Sequence, residues 1–356
     1  MAQKSEKIKK LNSRQELILA FIEEKKTVAI SQIVEYVQIT SENVTRITIA
    51  RDLEKLVELG YLERKGAGRS TAYEISASYS ILKEIDVEIY FSVDPDKREI
   101  REKFNFDIFD KLKNIFTEKE KEKLTKLNQI YQRKIKTLPG ELLKKEIERL
   151  NIDFSWKSSK IEGNTYSLLE TEQLIKNQKE AIGHSRDEAT MILNHKSALE
   201  YIQKNKTLFS TISAKKIIDI HTLLISGLET EKNIRKRLVR ITGTKYAPLD
   251  NEFQIKEALD DTCVVVNQTK NPFEKGLILM LLIAYIQPFN DGNKRTSRLS
   301  GNAILSAFNC CLLSYRSMDE IEYKKAMLLF YEQNNIAYFK KLFIAQFEFA
   351  VENYFG

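Results

Sequence analysis

Residues 286–298 read IQPFNDGNKRTSR, and this stretch organises the chain around it. A Pro-Phe corner leads into Asp291-Gly292-Asn293, and the apolar pattern at Leu299 and Ala303 predicts a helix that begins just after the turn. The first turn of a helix presents unpaired backbone N–H groups and the positive end of the helix dipole. The stretch therefore suits an anion.

The side chains of this stretch extend the same argument. Arg295 and Arg298 lie three residues apart, so both project from one face of the first helical turns, next to Lys294. Asp291 supplies a hard oxygen ligand of the kind that Mg²⁺ prefers. Together these groups predict a site for a polyphosphate and its metal.

The stretch resembles the signature of the Fic family, H-P-F-x-[DE]-G-N-[GK]-R-x-x-R, here residues 287–298. The resemblance implies a protein adenylyltransferase, which moves AMP from ATP to a Ser, Thr or Tyr hydroxyl of a target protein. It implies ATP and Mg²⁺ as cofactors, with Asp291 as metal ligand. The nucleotide contacts that it implies are Asp291, Gly292, Asn293, Lys294, Arg295 and Arg298, with Asn293 and Arg295 also acting in catalysis.

One signature position departs from the family. Gln287 stands where the family has the histidine that accepts the proton of the target hydroxyl. Imidazole titrates near neutral pH, whereas a carboxamide does not accept a proton there. Loss of a general base costs about 10²–10⁴-fold in rate. The resemblance therefore favours nucleotide binding more strongly than turnover.

A second motif lies N-terminal to the signature. Residues 158–164 read SSKIEGN and resemble the family's inhibitory motif, [ST]-x-x-x-E-[GN], with Ser158, Glu162 and Gly163 in the matching positions. The resemblance implies that Glu162 pairs with Arg298. A guanidinium binds a carboxylate or a phosphate through the same donors, so Glu162 would compete with ATP.

Three interpretations remain open from the sequence. The chain is an adenylyltransferase impaired by Gln287, or it is a degenerate nucleotide-binding protein, a pseudoenzyme that regulates transcription through its N-terminal domain. In the third interpretation the natural protein has histidine at position 287.

Composition narrows the class of protein. The chain has 356 residues, 30% charged and 42% apolar, with five prolines and 12 glycines, which predicts several mainly helical domains. The net charge of +7 is compatible with nucleic acid. We expect a cytoplasmic protein with no membrane span and with reduced, buried cysteines (Cys263, Cys310, Cys311). We expect His184, His195 and His221 to be structural or surface residues and not metal ligands. A homodimer remains an open expectation.

Residues 1–78 predict a winged helix-turn-helix. Apolar periodicity indicates three helices, the second capped by Ser31 and the third opening at Ser41 with Ile47 in its apolar stripe. Gly60 ends the third, and strands on either side of Gly66–Arg69 form a hairpin. Arg46 and Arg51 are predicted to face the DNA major groove, with Lys65 and Arg69 on the backbone phosphates. Net charge here is only +2, so protein binding is the alternative.

The remaining domains are a connector, residues 79–150, and a helical Fic domain, residues 151–356. Residues 85–91 alternate like a strand, and Cys310-Cys311 lie in an apolar helix-like stretch. Residues 238–246 suggest a β-hairpin that resembles the family's flap, which docks the target segment, with Thr242, Gly243 and Thr244 at its turn. Tyr323 and Asn334 are candidates for the adenine pocket.

Overall fold

The computed structural model describes residues 11–41 and 44–355. The chain divides into two compact units. The first takes the chain to Ile85 together with Asn114–Glu118, and the second holds Asp86–Lys113 and the chain from Lys119 onward. Helices dominate both units and one small sheet accompanies them, which confirms the mainly α fold class.

The first unit is a helical bundle with an antiparallel sheet. Its elements in chain order are α1 (Ser13–Lys25), β1 (Thr27–Ala29), α2 (Ile30–Thr40), α3 (Arg46–Glu58), β2 (Leu62–Lys65), β3 (Ala72–Ile75) and α4 (Tyr79–Leu82). β3 is the central strand, and Tyr73 pairs with Val28 on one side and with Arg64 on the other. The three helices and the hairpin of the winged helix are confirmed. The sequence pattern missed β1 because three residues are too short to show alternation.

Two helix starts in this unit differ from the prediction. α2 begins after Ala29, so Ser31 lies inside the helix and is not its cap. α3 begins at Arg46 and not at Ser41, because the Thr45 hydroxyl accepts the Thr48 N–H at 3.2 Å and satisfies a free donor of the first turn. Ile47, predicted in the apolar stripe, is 67% exposed.

The rest of the chain is helical. Its helices are α5 (Val87–Ser92), α6 (Ile108–Lys111), α7 (Glu118–Thr137), α8 (Gly140–Ile161), α9 (Leu168–Asn177), α10 (Arg186–Lys204), α11 (Ala214–Leu224), α12 (Glu252–Gln268), α13 (Pro272–Ile286), α14 (Asn293–Ala307), α15 (Glu320–Gln333) and α16 (Ala337–Phe355). α8 passes residue 150 without a break, so the domain boundary predicted there falls inside a helix. In the described part of the chain, no helix combines the length and apolarity needed to cross a bilayer.

α13 forms the centre of the second unit, and every residue from Phe273 to Ile286 is buried. α14 returns antiparallel along it. A Cβ on Gly276 would lie 3.5 Å from the Gly301 carbonyl oxygen, and the Ser297 hydroxyl donates to the Met280 carbonyl at 2.6 Å. The close approach of these two backbones holds the loop between them, residues 287–292, in a fixed position.

Two local predictions in the second unit are wrong. Residues 87–92 form α5 and not a strand, because the Asp86 carboxylate accepts the Ile89 N–H at 3.1 Å and caps a helical turn. Cys310 and Cys311 follow the end of α14 and are not helical. As predicted, they and Cys263 are buried free thiols.

The hairpin predicted at residues 238–246 is also wrong. Thr242 and Gly243 form a turn, with Gly243 at φ 87°, but the flanking residues form no strands. Their polar groups bond elsewhere instead: Arg98 donates to the Gly243 carbonyl at 2.6 Å, and the Ala247 N–H donates to the Glu102 carbonyl at 2.8 Å. Contacts with residues 98–103 therefore replace the strand pairing that the β-branched pattern indicated.

Candidate functional site

The loop between α13 and α14 is closed by one asparagine. The Asn293 side-chain oxygen accepts the Phe289 N–H at 2.8 Å, and its amide nitrogen donates to the Phe289 carbonyl at 2.7 Å. Both amide atoms are thus engaged by backbone. The side chain of Asn293 holds the loop, while the backbone N–H groups at the start of α14 stay available for an anion.

His221 of α11 packs against the same loop. Its ring stacks on Phe289 with 3.6 Å between centroids, and its Nε2 donates to the Asp291 carbonyl at 3.0 Å. Gly292, at φ 78°, fits below it, since a Cβ there would lie 3.4 Å from His221 Cδ2. Burial and, to a smaller extent, the nearby Arg295 cation lower the pKa of His221 to about 4. The ring is therefore a neutral structural support, as predicted.

Arg235 holds the other end of the loop and was missed by the sequence analysis. Its side chain is fully buried and donates only to carbonyl groups: Nε to Gln287 at 2.6 Å, Nη1 to Arg237 at 2.8 Å, and Nη2 to Leu249. A cation at the carbonyl end of α13 is favoured by the helix dipole. No sequence signal marks this residue, because it lies in a basic run typical of a solvated surface.

Arg295 is the first of the two signature arginines. Its side chain is 3% exposed, and Nη2 donates to Asp291 at 2.5 Å. Nη1 is buried and has no hydrogen-bond partner among the described residues. A buried guanidinium donor without a partner is costly unless an acceptor joins it. Lys294 is partly exposed beside it, with its Nζ 4.0 Å from Glu162.

Arg298, the second signature arginine, is fully buried and fully engaged. Its Nε donates to the Ser158 hydroxyl at 2.9 Å, Nη2 to the Ser158 carbonyl at 2.8 Å, and Nη1 to Glu162 Oε1 at 2.8 Å. Its guanidinium lies 5.3 Å from the centroid of the Tyr323 ring. The structure thus brings Ser158, Glu162 and Arg298 together, as the two motifs predict.

His195 of α10 orients this cluster. Its Nδ1 lies 2.8 Å from the Met191 carbonyl, which only accepts, so Nδ1 carries the proton and Nε2 is an acceptor. The Ser158 hydroxyl, 3.0 Å from Nε2, donates to it and accepts from Arg298. Burial and the Arg295 cation lower the pKa of His195 to about 3, so the ring stays neutral. His195 therefore has a structural role, because it orients the Ser158 hydroxyl that binds Arg298.

Glu162 is ionised at this position. Burial alone would raise its pKa, but the Arg298, Lys294 and Arg295 cations together hold the pKa below its ordinary value. Glu162 is the C-cap residue of α8, and Gly163 follows at φ 98°, a conformation that favours glycine. The end of α8 thereby aims the carboxylate at the start of α14.

Gln287 caps the carbonyl end of α13. Its backbone is left-handed, at φ 51°, and its side-chain nitrogen donates to the Ala284 carbonyl at 2.6 Å. The residue is 8% exposed. The side-chain amide of Gln287 is thus bonded to its own helix. Neither its oxygen nor its nitrogen accepts a proton near neutral pH.

The remaining predicted residues lie in several places. Thr242, Gly243 and Thr244 form the turn described above, while Tyr323 and Asn334 are buried, the latter as the C-cap of α15. In the first unit Arg46 and Arg51 are exposed on α3, whereas Lys65 pairs with Glu63 at 3.0 Å. The side chain of Arg69 lies outside what the structure describes. In the described ranges no three His, Cys, Asp or Glu side chains form a metal cluster, so Asp291 stands as a single carboxylate.

Comparison with known families matches both parts of the chain. Residues 211–305 match a family model described as Fic/DOC family, and residues 14–71 match one described as a DeoR-like helix-turn-helix domain. These two matches support a Fic-like domain with a helix-turn-helix domain N-terminal to it.

Curated relatives carry the same domain. The protein adenylyltransferase Fic of Nematostella vectensis is 28% identical over 193 residues, which is 52% of this chain and 45% of the relative. The protein adenylyltransferase fic-1 of Caenorhabditis elegans is 28% identical over 152 residues, 41% of this chain and 30% of the relative. The chain thus spans less than half of the length of these relatives.

Solved structures share the fold of about two thirds of the chain. Fic-1 from C. elegans superposes with a TM-score of 0.58 at 20% identity, over 66% of this chain and 71% of that chain. A Fic-domain-containing signaling protein from Bacteroides thetaiotaomicron superposes with a TM-score of 0.57 at 17% identity, over 65% of this chain and 95% of that chain. At these identities the likeness concerns the fold alone.

Proposed function

We propose that this chain is a Fic protein of the adenylyltransferase class that binds ATP with Mg²⁺ at the start of α14. Glu162 restrains it, and Gln287 impairs turnover. Its substrate would be a Ser, Thr or Tyr hydroxyl of a target protein. The observation that carries the proposal is the 2.8 Å contact between Glu162 and Arg298, because it joins the two motifs at the start of α14.

The start of α14 suits a triphosphate. The backbone N–H groups of its first turn, Lys294 and the buried Nη1 of Arg295, which has no partner among the described residues, all belong to the N-terminal turn of the helix. Arg298 cannot join them while all three of its donor nitrogens are engaged by Ser158 and Glu162. Glu162 therefore leaves the anion site assembled but short of one guanidinium.

Asp291 fits the expected metal. Its carboxylate is 64% exposed, and among the described residues only Arg295 engages it, through one oxygen. Mg²⁺ is commonly held by one or two carboxylates, waters and substrate phosphates, so a single aspartate suffices. The bound metal would neutralise charge on the phosphate oxygens. Asp291 would position it, and Arg295 would lie on the opposite side of the same carboxylate.

Gln287 explains the expected low activity. It stands at the family's base position, yet it cannot take a proton, and its amide bonds Ala284. The remaining groups would bind and orient ATP without activating the target hydroxyl. We therefore expect labelling about 10²–10⁴-fold below that of a chain with histidine at this position.

Incubation with ATP labelled on the α-phosphate tests this proposal. Neither the chain as it stands nor Glu162→Gly should label appreciably, whereas Gln287→His combined with Glu162→Gly should label strongly. Gln178→His is the matched control, because Gln178 caps α9 in the same left-handed conformation, far along the chain from the signature. Strong labelling by the unmodified chain would refute the impairment. A double variant that binds ATP and stays silent would favour a pseudoenzyme.

The helix-turn-helix unit supports a second function, regulation of transcription in response to nucleotide. Arg46 and Arg51 are exposed on α3, and neither has an ionic partner in the described ranges. Arginines placed in this way on the third helix suit a major groove. The test is a mobility shift on duplex DNA, with and without ATP and Mg²⁺. No shift at low salt would assign this unit to protein binding instead.

A further inference from the structure

The second unit contains a cavity remote from the start of α14. Its volume is about 810 Å³, and it lies among α7, α8, α10 and the far end of α14, where Ser306 lines it. Ser306 is 13 residues beyond Asn293, so roughly 20 Å of helix separates the cavity from the signature. Sites for small molecules commonly have volumes of about 300–1,000 Å³. The cavity is thus the size of a ligand site, and the proposed nucleotide site does not use it.

The floor of the cavity is apolar. Leu150 and Ile152 from α8, Ile175 from α9 and Phe355 from α16 line it, and each of these residues is buried. Leu312, which follows α14, completes the floor. Transfer of the apolar part of a ligand from water to this apolar floor is favourable.

The rim of the cavity is basic. Five lysines line it against two glutamates, Glu148 and Glu200. Lys176, Lys196 and Lys206 are engaged by Glu172, Glu200 and Asn309. Lys144 and Lys204 have no ionic partner among the described residues, and both are exposed. The rim therefore carries an excess of positive charge with two free ammonium groups.

Two neutral polar side chains of the wall, Asn151 and Gln203, satisfy each other. Asn151 donates to Gln203 at 3.1 Å, and Gln203 donates back to Asn151 at 3.0 Å. These amides therefore require no partner from a ligand. Recognition falls to the apolar floor and to the lysines of the rim.

We propose that this cavity binds a small anionic amphiphile, a molecule with one carboxylate or sulfonate head and an apolar body. The floor takes the body, and Lys144 and Lys204 take the head. A cationic or neutral molecule with the same body gains only the first of these contacts. Charge therefore distinguishes the ligand class.

Fluorescence of 8-anilinonaphthalene-1-sulfonate, whose head and body match this class, provides the test. The full chain should bind the probe at one saturable site. Decanoate should displace it, whereas decyltrimethylammonium and decanol, which share the ten-carbon body, should displace it poorly. ATP with Mg²⁺ should leave the probe bound. Displacement by ATP, or equal displacement by all three ten-carbon compounds, would overturn the proposal.

Three variants locate the site. Lys144→Glu with Lys204→Glu should weaken decanoate binding by about tenfold or more, because two attractive charges become repulsive. Lys324→Glu with Lys341→Glu is the matched control, since it changes the net charge equally at exposed positions that do not line the cavity. Ser306→Trp should weaken binding of the fluorescent probe, because the larger side chain fills part of the cavity. An equal loss of decanoate binding in the two double lysine variants would refute the proposal. Unchanged probe binding by Ser306→Trp would also refute it, because the probe would then bind elsewhere.

Discussion

Arg298 donates to Glu162 at 2.8 Å across 136 residues of chain. The pair is formed by the end of α8 and the second turn of α14, and the Ser158 hydroxyl and carbonyl take the other donors of the guanidinium. A cation held in this way is unavailable to a phosphate. Under the proposed function, we therefore expect ATP to gain Arg298 only by displacing Glu162.

Glu162→Gly should raise the affinity for ATP with Mg²⁺ by roughly tenfold to a hundredfold. A hydrogen bond between charged groups contributes about 1.5–3 kcal/mol. In the variant the bond between Arg298 and residue 162 is absent, so ATP binding no longer requires breaking it. Isothermal titration calorimetry measures the change. Glu229→Gly, at an exposed loop glutamate, should have no effect. If Glu162→Gly and the unmodified chain both show no heat with ATP, the proposed nucleotide site is wrong.

Arg235→Lys should lower the free energy of unfolding by about 2–4 kcal/mol, because a lysine cannot reach three carbonyl groups in different directions. Urea unfolding followed by the fluorescence of Trp156, the single tryptophan of the chain, reports this change. Arg237→Lys is the control, since its side chain is 81% exposed. Equal stability of the two variants would contradict the role assigned to Arg235.

Acidification from pH 7 to pH 5 should destabilise the second unit through its buried histidines. The pKa values are about 3 for His195 and about 4 for His221 in the folded chain, against 6.5 when unfolded. The unfolded state then binds more protons, so stability is present at neutral pH and falls as pH drops below 6.5. Each histidine contributes a loss of about 2 kcal/mol by pH 5.

His221→Phe separates this effect from other titrations. Phenylalanine keeps a ring against Phe289 but binds no proton, so the variant should lose about half of the pH dependence. Its stability at pH 7 is also expected to fall, because the hydrogen bond to Asp291 is absent. The comparison therefore rests on the difference between pH 7 and pH 5 in urea unfolding. An unchanged difference would show that His221 is not buried as a neutral ring.

Arg46→Ala with Arg51→Ala should weaken binding to duplex DNA and flatten its dependence on the logarithm of salt concentration by about two units. Fluorescence anisotropy across a salt series measures both quantities. Lys25→Ala is the control, because this lysine on α1 is paired with Glu24. A variant that binds DNA as the unmodified chain does would exclude α3 as the contact surface.

Local patterns predicted the mainly helical fold and several of its elements. Apolar periodicity found the three helices of the first unit, and the glycine-containing turn before Asn293 marked the start of α14. Alternation failed at residues 85–91 and 238–246, where Asp86 capped a helix and Arg98 took the Gly243 carbonyl. A side chain that supplies the backbone with another partner overrides an alternating pattern.

The sequence by itself determined the mainly helical fold, the turn that opens α14 and the missing proton acceptor at Gln287, because each depends on neighbouring residues along the chain. Only the tertiary structure decided which groups surround that start. His221 of α11 bonds the Asp291 carbonyl just before that start, and Arg235 bonds the Gln287 carbonyl at the end of α13. His195 of α10 bonds Ser158, which in turn holds Arg298 of α14, and no local pattern marks these histidines or Arg235. Burial in the fold turns these ordinary polar residues into partners that fix a loop and a cation, since a buried donor or acceptor must be satisfied.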